Sequence, residues 1–191
     1  MAVRESLLGI MTLGPVYGLQ LHAELGSRAP HRWHTNVGQI YGTLDRLGKA
    51  GLVGRTGQTT EGFPLYSLTA EGQSVAHDWL YGASLVDAHD WNDVLDHVLI
   101  ARSIDSVALS SVLGVYEQIL TRDPAVSVKK SESHGGSFST QNLAEAAERR
   151  FGDACLAWLG DVRRDMSSQS EPYGAHGFLT ARNRRGRPVA G

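Results

Sequence analysis

Apolar positions in the first eighty residues recur at helical steps, switch briefly to a strand-like pattern, and then return to helical steps. Leu7, Leu8, Ile10 and Met11 share one stripe over residues 4 to 13, and Gly14-Pro15 stops it, which predicts a first helix. Leu19, Leu21 and Leu25 predict a second, from Tyr17 to about Ser27, released at Ala29-Pro30. The third opens at Thr35-Asn36. Asn36 is a good cap, and Gln39 stands three residues on, where a capping box wants Glu or Gln. Val37, Ile40, Leu44 and Leu47 follow at inward spacing, and Gly51 is placed for a left-handed cap after Lys49-Ala50.

Leu52 to Arg55 and Leu65 to Leu68 read as two strands joined by the polar segment Thr56 to Gly62. Thr69 caps a fourth helix whose buried stripe is Val75, Ala76, Trp79 and Leu80. Helix, leucine-rich exit, hairpin and helix start in this order spell a winged helix-turn-helix, which presents its third helix to the DNA major groove.

After Gly82 the texture changes. Asp87, His89, Asp90, Asp93 and Asp96 precede an apolar face made by Val94, Leu95, Val98 and Leu99. A further helix, capped by Asp105 or Ser106, carries Leu109, Val112, Leu113, Tyr116, Ile119 and Leu120 until Asp123-Pro124 ends it. Residues 125–139 read as a polar, mobile connection. A last helix from Thr140 to about Met166 lines Leu143, Ala147, Phe151, Cys155, Trp158, Leu159, Val162 and Met166 along one side. That stripe exceeds what two short helices can cover, so self-association is expected, folding over the chain's own core being the alternative. The fold class is mainly α with a small β-hairpin. Residues 1–83 form the winged helix-turn-helix, 84–168 a helical dimerisation and effector domain, and 169–191 a flexible basic tail.

Composition narrows the class. The 191 residues are 41% hydrophobic and 20% charged, which is globular, and no apolar run reaches the roughly 18 residues of a membrane span. With no leader-like start, a cytoplasmic protein without a membrane partner is expected. Cys155 is the only cysteine and reads as a core residue, with a redox or intersubunit role as the alternative. Net charge is −2, but residues 28–55 hold Arg28, Arg32, Arg46, Lys49 and Arg55 against Asp45 alone, a local basic face. Residues 84–123 hold seven carboxylates against Arg102 and Arg122, an acidic middle expected to face away from DNA, and the tail adds Arg182, Arg184, Arg185 and Arg187.

With the apolar stripe of the third helix inward, Thr35, Gln39, Thr43 and Arg46 should face a groove. Gln suits adenine, Thr a thymine methyl, and Arg guanine or a phosphate. Gly42 costs about 1 kcal/mol against Ala in a helix and allows close backbone approach. For a small ligand, Trp33, Trp79, Trp91 and Trp158 are candidate pocket walls, with core or interface anchors as the alternative. Trp91, His97, Arg102 and Tyr116 form the preferred effector set. Asp93 and His97, four apart, are a conceivable metal pair beside His89 and Asp90, but surface acid and histidine is the commoner meaning, and neither a resident metal nor any other cofactor is expected. No phosphate loop, nucleophile elbow or paired carboxylate frame is present, so an enzyme is not expected.

The segments Leu7-Leu8-Gly9-Ile10-Met11, Gly14-Pro15-Val16-Tyr17-Gly18, Gly38-Gln39-Ile40-Tyr41-Gly42-Thr43-Leu44, Leu47-Gly48-Lys49-Ala50-Gly51-Leu52-Val53 and Tyr66-Ser67-Leu68-Thr69-Ala70-Glu71-Gly72 together resemble the PadR family of bacterial transcriptional regulators, over about residues 5 to 80. The remainder resembles the family's larger subclass in layout. The resemblance implies a homodimer held by C-terminal helices, a palindromic double-stranded operator, repression, and release by a small aromatic effector. It implies that Tyr41 and the start of the third helix contact DNA, so that the expected DNA-binding set is Thr35, Asn36, Gln39, Tyr41, Thr43, Arg46, Lys49 and Arg55. The chain departs from the family at Gly42, where Pro is common, at Pro64-Leu65, where basic residues are common, and at Leu19, a usual aromatic. The wing is therefore weakly charged, which implies modest, salt-sensitive affinity and keeps open a protein-interaction module as an alternative, while the Asp93 and His97 spacing keeps open a metal-responsive regulator.

Overall fold

The computed structural model describes residues 2–86, 88, 90–122, 140–168 and 177–178. Helices α1 (Ala2–Met11), α2 (Gly18–Arg28) and α3 (Val37–Lys49) are followed by strands β1 (Val53–Gln58) and β2 (Pro64–Leu68) and by α4 (Ala70–Leu80). Then come α5 (Trp91–Ile104), α6 (Ser106–Arg122) and α7 (Thr140–Ser168), with a short 3-10 turn, Pro30–Arg32, between α2 and α3. None of the described helices is long and apolar enough to cross a membrane. The connection expected over 125–139, the helix end at Asp123-Pro124, Asp87, His89 and nearly all of the tail lie outside the described residues.

Helix α1 is the centre of the packing: Leu7, Leu8 and Ile10 are wholly buried, and α2, α4 and α5 lie against it. Gly9 brings α4 and α5 close, since a Cβ there would stand 2.8 Å from the Trp79 ring and 3.1 Å from Ile100. The core therefore runs on from the winged helix into α5 and α6 as one buried cluster, and the expected boundary near residue 83 marks a change of texture with no break in packing.

The strands pair antiparallel with Val53 opposite Leu68 and Arg55 opposite Tyr66. They run further than the sequence pattern suggests, because Gly57, at a φ of 151°, takes up an irregularity in register and lets the ladder continue to Gln58. Val16 adds a bridge by exchanging hydrogen bonds of 3.0 and 2.9 Å with Tyr66, and Tyr17 stacks on Phe63 at 5.5 Å. The hairpin is thereby tied to the start of α2.

Two arginines, Arg28 buried and Arg32 half-buried, join the winged helix to α5. Arg28 binds Glu24 at 3.0 Å and donates to Ser103 at 2.9 Å and to the Gly177 carbonyl at 2.8 Å. Arg32 makes a two-pronged contact with buried Asp96 at 2.8 to 3.0 Å, which holds its guanidinium above its already high ordinary pKa. His31 Nε2 lies 2.8 Å from the same carboxylate without the alignment of a hydrogen bond. Part of the acidic middle, at Asp96, is thus turned onto the turn between α2 and α3.

Helix α7 lies against α6 and along α5. Arg163 grips Glu117 at 2.9 to 3.1 Å, Arg102 reaches Asp165 at 2.9 Å, and the Trp91 ring meets Trp158 edge-on at 5.3 Å and Phe151 at 6.3 Å. Cys155 is buried, and desolvation pushes its thiol up to about 11, so it stays protonated at neutral pH.

Candidate nucleic-acid interface

Helix α3 is held at both ends by its own sequence. The Asn36 side chain accepts from Gln39 N–H at 2.9 Å and the Gln39 side chain accepts from Asn36 N–H at 2.9 Å, a complete capping box. Gly51, at a φ of 73°, closes the other end, and Leu52 N–H returns to the Leu47 carbonyl at 3.0 Å. Ile40, Leu44 and Leu47 are buried and Val37 half-buried, so the inward stripe lies as its spacing requires.

The outer face is composed of Asn36, Gly38, Gln39, Gly42, Asp45, Arg46 and Lys49, all exposed. A Cβ built on Gly42 meets nothing within 4 Å, so no neighbour in the protein demands glycine there, and the helix backbone lies open to an approaching body between Gln39 and Arg46.

Two residues expected on this face are not on it. Thr35 is 6% exposed and Thr43 4%. Thr35 precedes the helix, where its carbonyl takes a hydrogen bond of 2.8 Å from His22 Nε2. Thr43 falls a single step from Leu44, on the flank where neighbouring elements cover it, and its hydroxyl accepts from Arg46 at 2.9 Å. Thr43 therefore lies beneath the outer face and braces the Arg46 side chain. The side-chain oxygen of Gln39, expected to pair with adenine, accepts from the Asn36 N–H in the cap.

The basic face is also thinner than the composition of residues 28–55 suggests. Arg28 and Arg32 are spent internally, which leaves Arg46, Lys49 and Arg55 on the outside, with Lys49 bound to Asp45 at 2.7 Å and Arg55 5.7 Å from the Tyr66 ring centre. Tyr41 is half-buried against Gly18, where a Cβ would stand 2.5 Å from its ring. Burial first, and Tyr66 next, raise its phenol pKa, so it remains a neutral hydroxyl. Tyr41, Lys49, Arg55 and Tyr66 line an open cleft of about 490 Å³ between α3 and the hairpin.

The four preferred effector residues do not converge. His97 is buried, stacked on Trp79 at 4.4 Å, and its Nε2–H donates to the Trp79 carbonyl while Nδ1 accepts from Tyr116 Oη at 3.2 Å. Desolvation pushes its pKa down to about 4, so it is neutral inside the core. Both ring nitrogens are occupied, which also removes the Asp93–His97 metal pair, and Asp93 lies 4.0 Å from Arg32 instead. Trp91 packs with α7, and Arg102 lines a separate groove of about 240 Å³ with Val98, Leu99, Trp158 and Val162. The inward placement of His97 was readable, since it stands three residues after Val94 and three before Ile100, but the capture of Arg32 by Asp96 has no signal in the local pattern.

Three helices, a hairpin and a wing-exit helix in this arrangement define a winged helix-turn-helix protein. Residues 7–78 match the model of the transcriptional regulator PadR-like family. Among solved structures, Bacillus subtilis PadR in complex with operator DNA is similar at 18% identity, covering 85% of this chain and 97% of that one with a TM-score of 0.38. Bacillus subtilis PadR by itself is similar at 17% identity, covering 88% and 96% with a TM-score of 0.36. No curated protein matches the sequence.

Proposed function

We propose that the chain is a DNA-binding transcriptional regulator acting as a homodimeric repressor on a palindromic operator in the cytoplasm. The observation that carries this is the polar ridge of α3: Gln39, Arg46 and Lys49 stand exposed around the bare backbone at Gly42 while Ile40, Leu44 and Leu47 anchor the other side. Asn36, Gln39, Arg46 and Lys49 meet the duplex from α3, Tyr41 and Arg55 from the cleft beside the hairpin. A mobility-shift assay with duplex from upstream of its own gene tests it. Gln39→Ala combined with Arg46→Ala is expected to abolish the shift at moderate salt, and an unchanged shift would remove α3 as the reader.

Residues 84–168 serve dimerisation in this reading, since α7 leaves Leu143 and Ala147 exposed. A flat anionic effector has its place in the groove between α5 and α7, against Trp158 and Arg102, where it competes with Asp165 for the guanidinium. The second reading, a protein-interaction module, draws on the small number of exposed cations. Duplex binding with no salt dependence, or none at all, favours it.

A further inference from the structure

Between the end of α2 and the cap of α3 the chain is braced on several sides. Trp33 N–H donates to the Pro30 carbonyl at 3.2 Å and Thr35 N–H to the Arg32 carbonyl at 2.9 Å. His22 holds the Thr35 carbonyl, and Arg32 is locked on Asp96. Trp33 points the other way. It is 83% exposed, with its ring edge-on to the exposed His34 at 5.9 Å, whereas Trp79, Trp91 and Trp158 all pack against the core. A large aromatic side chain gains most when a partner removes it from water, and one presented by a rigid turn loses little freedom on contact.

We propose that Trp33 is a contact residue for duplex DNA, its indole lying on the sugar–phosphate edge beside the groove that α3 enters, with Nε1–H donating to a phosphate oxygen. The inference rests on α3 being the reader. Trp33 stands three residues before Asn36, so at most about 11 Å of chain separates it from the helix cap. The N-terminal end of a recognition helix lies close to the duplex, and its dipole favours a phosphate nearby.

The cations at this turn are already spent, Arg28 on Glu24 and Ser103 and Arg32 on Asp96. What the turn offers is a neutral side chain with an apolar face and one N–H donor. That combination matches deoxyribose next to phosphate, and it is indifferent to base identity.

Full-length Trp33→Ala and Trp33→Phe are to be titrated against a labelled duplex from upstream of the gene and against a scrambled duplex of equal length. Affinity for both duplexes is expected to fall about tenfold in the Ala variant and less in the Phe variant. Duplex should also shield from acrylamide the part of the emission that Trp33→Phe removes. The thermal midpoint should not move, because the side chain supports no core. If Trp33→Ala binds both duplexes as the parent does while Gln39→Ala with Arg46→Ala fails, the inference is overturned and α3 remains the reader. If the parent binds neither duplex, both readings fall. Shielding from acrylamide without DNA, or a change of oligomeric state in Trp33→Ala, assigns the indole to a second copy of the chain and likewise overturns it.

Discussion

Helix α3 buries Ile40, Leu44 and Leu47 within thirteen residues, whereas α7, over twenty-nine, buries only Gly152, Cys155 and Leu159 and leaves Leu143 57% exposed. The sequences of both carry an amphipathic stripe. The difference is cover: α3 is seated on α2 and the base of the hairpin, while the second half of α7 lies against α5 and α6, at Trp91, Arg102 and Glu117. A stripe can therefore say that a face wants burial without saying whether the same chain supplies the surface. In α3 the face left over is polar, and in the first half of α7 it is partly apolar.

The largest effect is expected at the seam that follows α3. A Cβ on Gly72 would stand 1.9 Å from the Leu52 carbonyl oxygen, a backbone atom with nowhere to go. Gly72→Ala should cost about 3 kcal/mol or more, read from the urea midpoint of unfolding.

The contrast itself is tested by a pair of truncations. Leu47→Ala removes a wholly buried side chain and should cost about 3 kcal/mol, while Leu143→Ala should cost less than about 0.5 kcal/mol in the dilute protein. If Leu143→Ala becomes costly as concentration rises, a second copy covers that face and the asymmetry between the helices is one of the isolated chain.

Acid should loosen the core that the two regions share. The His97 pKa is depressed from 6.5 to about 4, so the unfolded chain takes up the proton first as pH falls. Stability from this group is unaffected above about pH 7 and is lost between about 6.5 and 4, roughly 3 kcal/mol in all. Urea midpoints at several pH values should show that loss in the parent and a shallower one in His97→Gln, compared at the same carboxylate background.

The smallest effect concerns α3 alone. Asn36→Ala removes one arm of the capping box and should cost about 1 kcal/mol, measured by thermal unfolding. The Gln39 side chain keeps its bond to the N–H of residue 36 in this variant, so the loss measures the Asn36 side-chain arm of the cap alone.

Most of the fold was legible because its signals are local. Asn36 with Gln39, Gly51, Thr69 and the spacing of Ile40, Leu44 and Leu47 each fix backbone geometry within a few residues, and the helices and the hairpin follow. The candidate interface was legible in part. The exposure of Gln39 and Arg46 follows from helical period, but the burial of Thr35 and Thr43 depends on which neighbours arrive at the flank of the stripe. Arg32 read as a free cation because its partner, Asp96, lies more than sixty positions away, whereas the ion-pair partner of Arg28, Glu24, stands only four residues before it, outside the basic stretch 28–55.

By itself the chain's order of residues determined the elements, their caps, the hairpin and the inward side of α3, since each depends on interactions between near neighbours. Only the tertiary structure decided which charges are spent inside, that Trp79 and Tyr116 occupy both ring nitrogens of His97, that Trp91 and Arg102 serve different surfaces from it, and that Trp33 stands in water. Those outcomes depend on contacts between distant segments, and burial and charge pairing at such contacts have no periodicity along the chain to announce them.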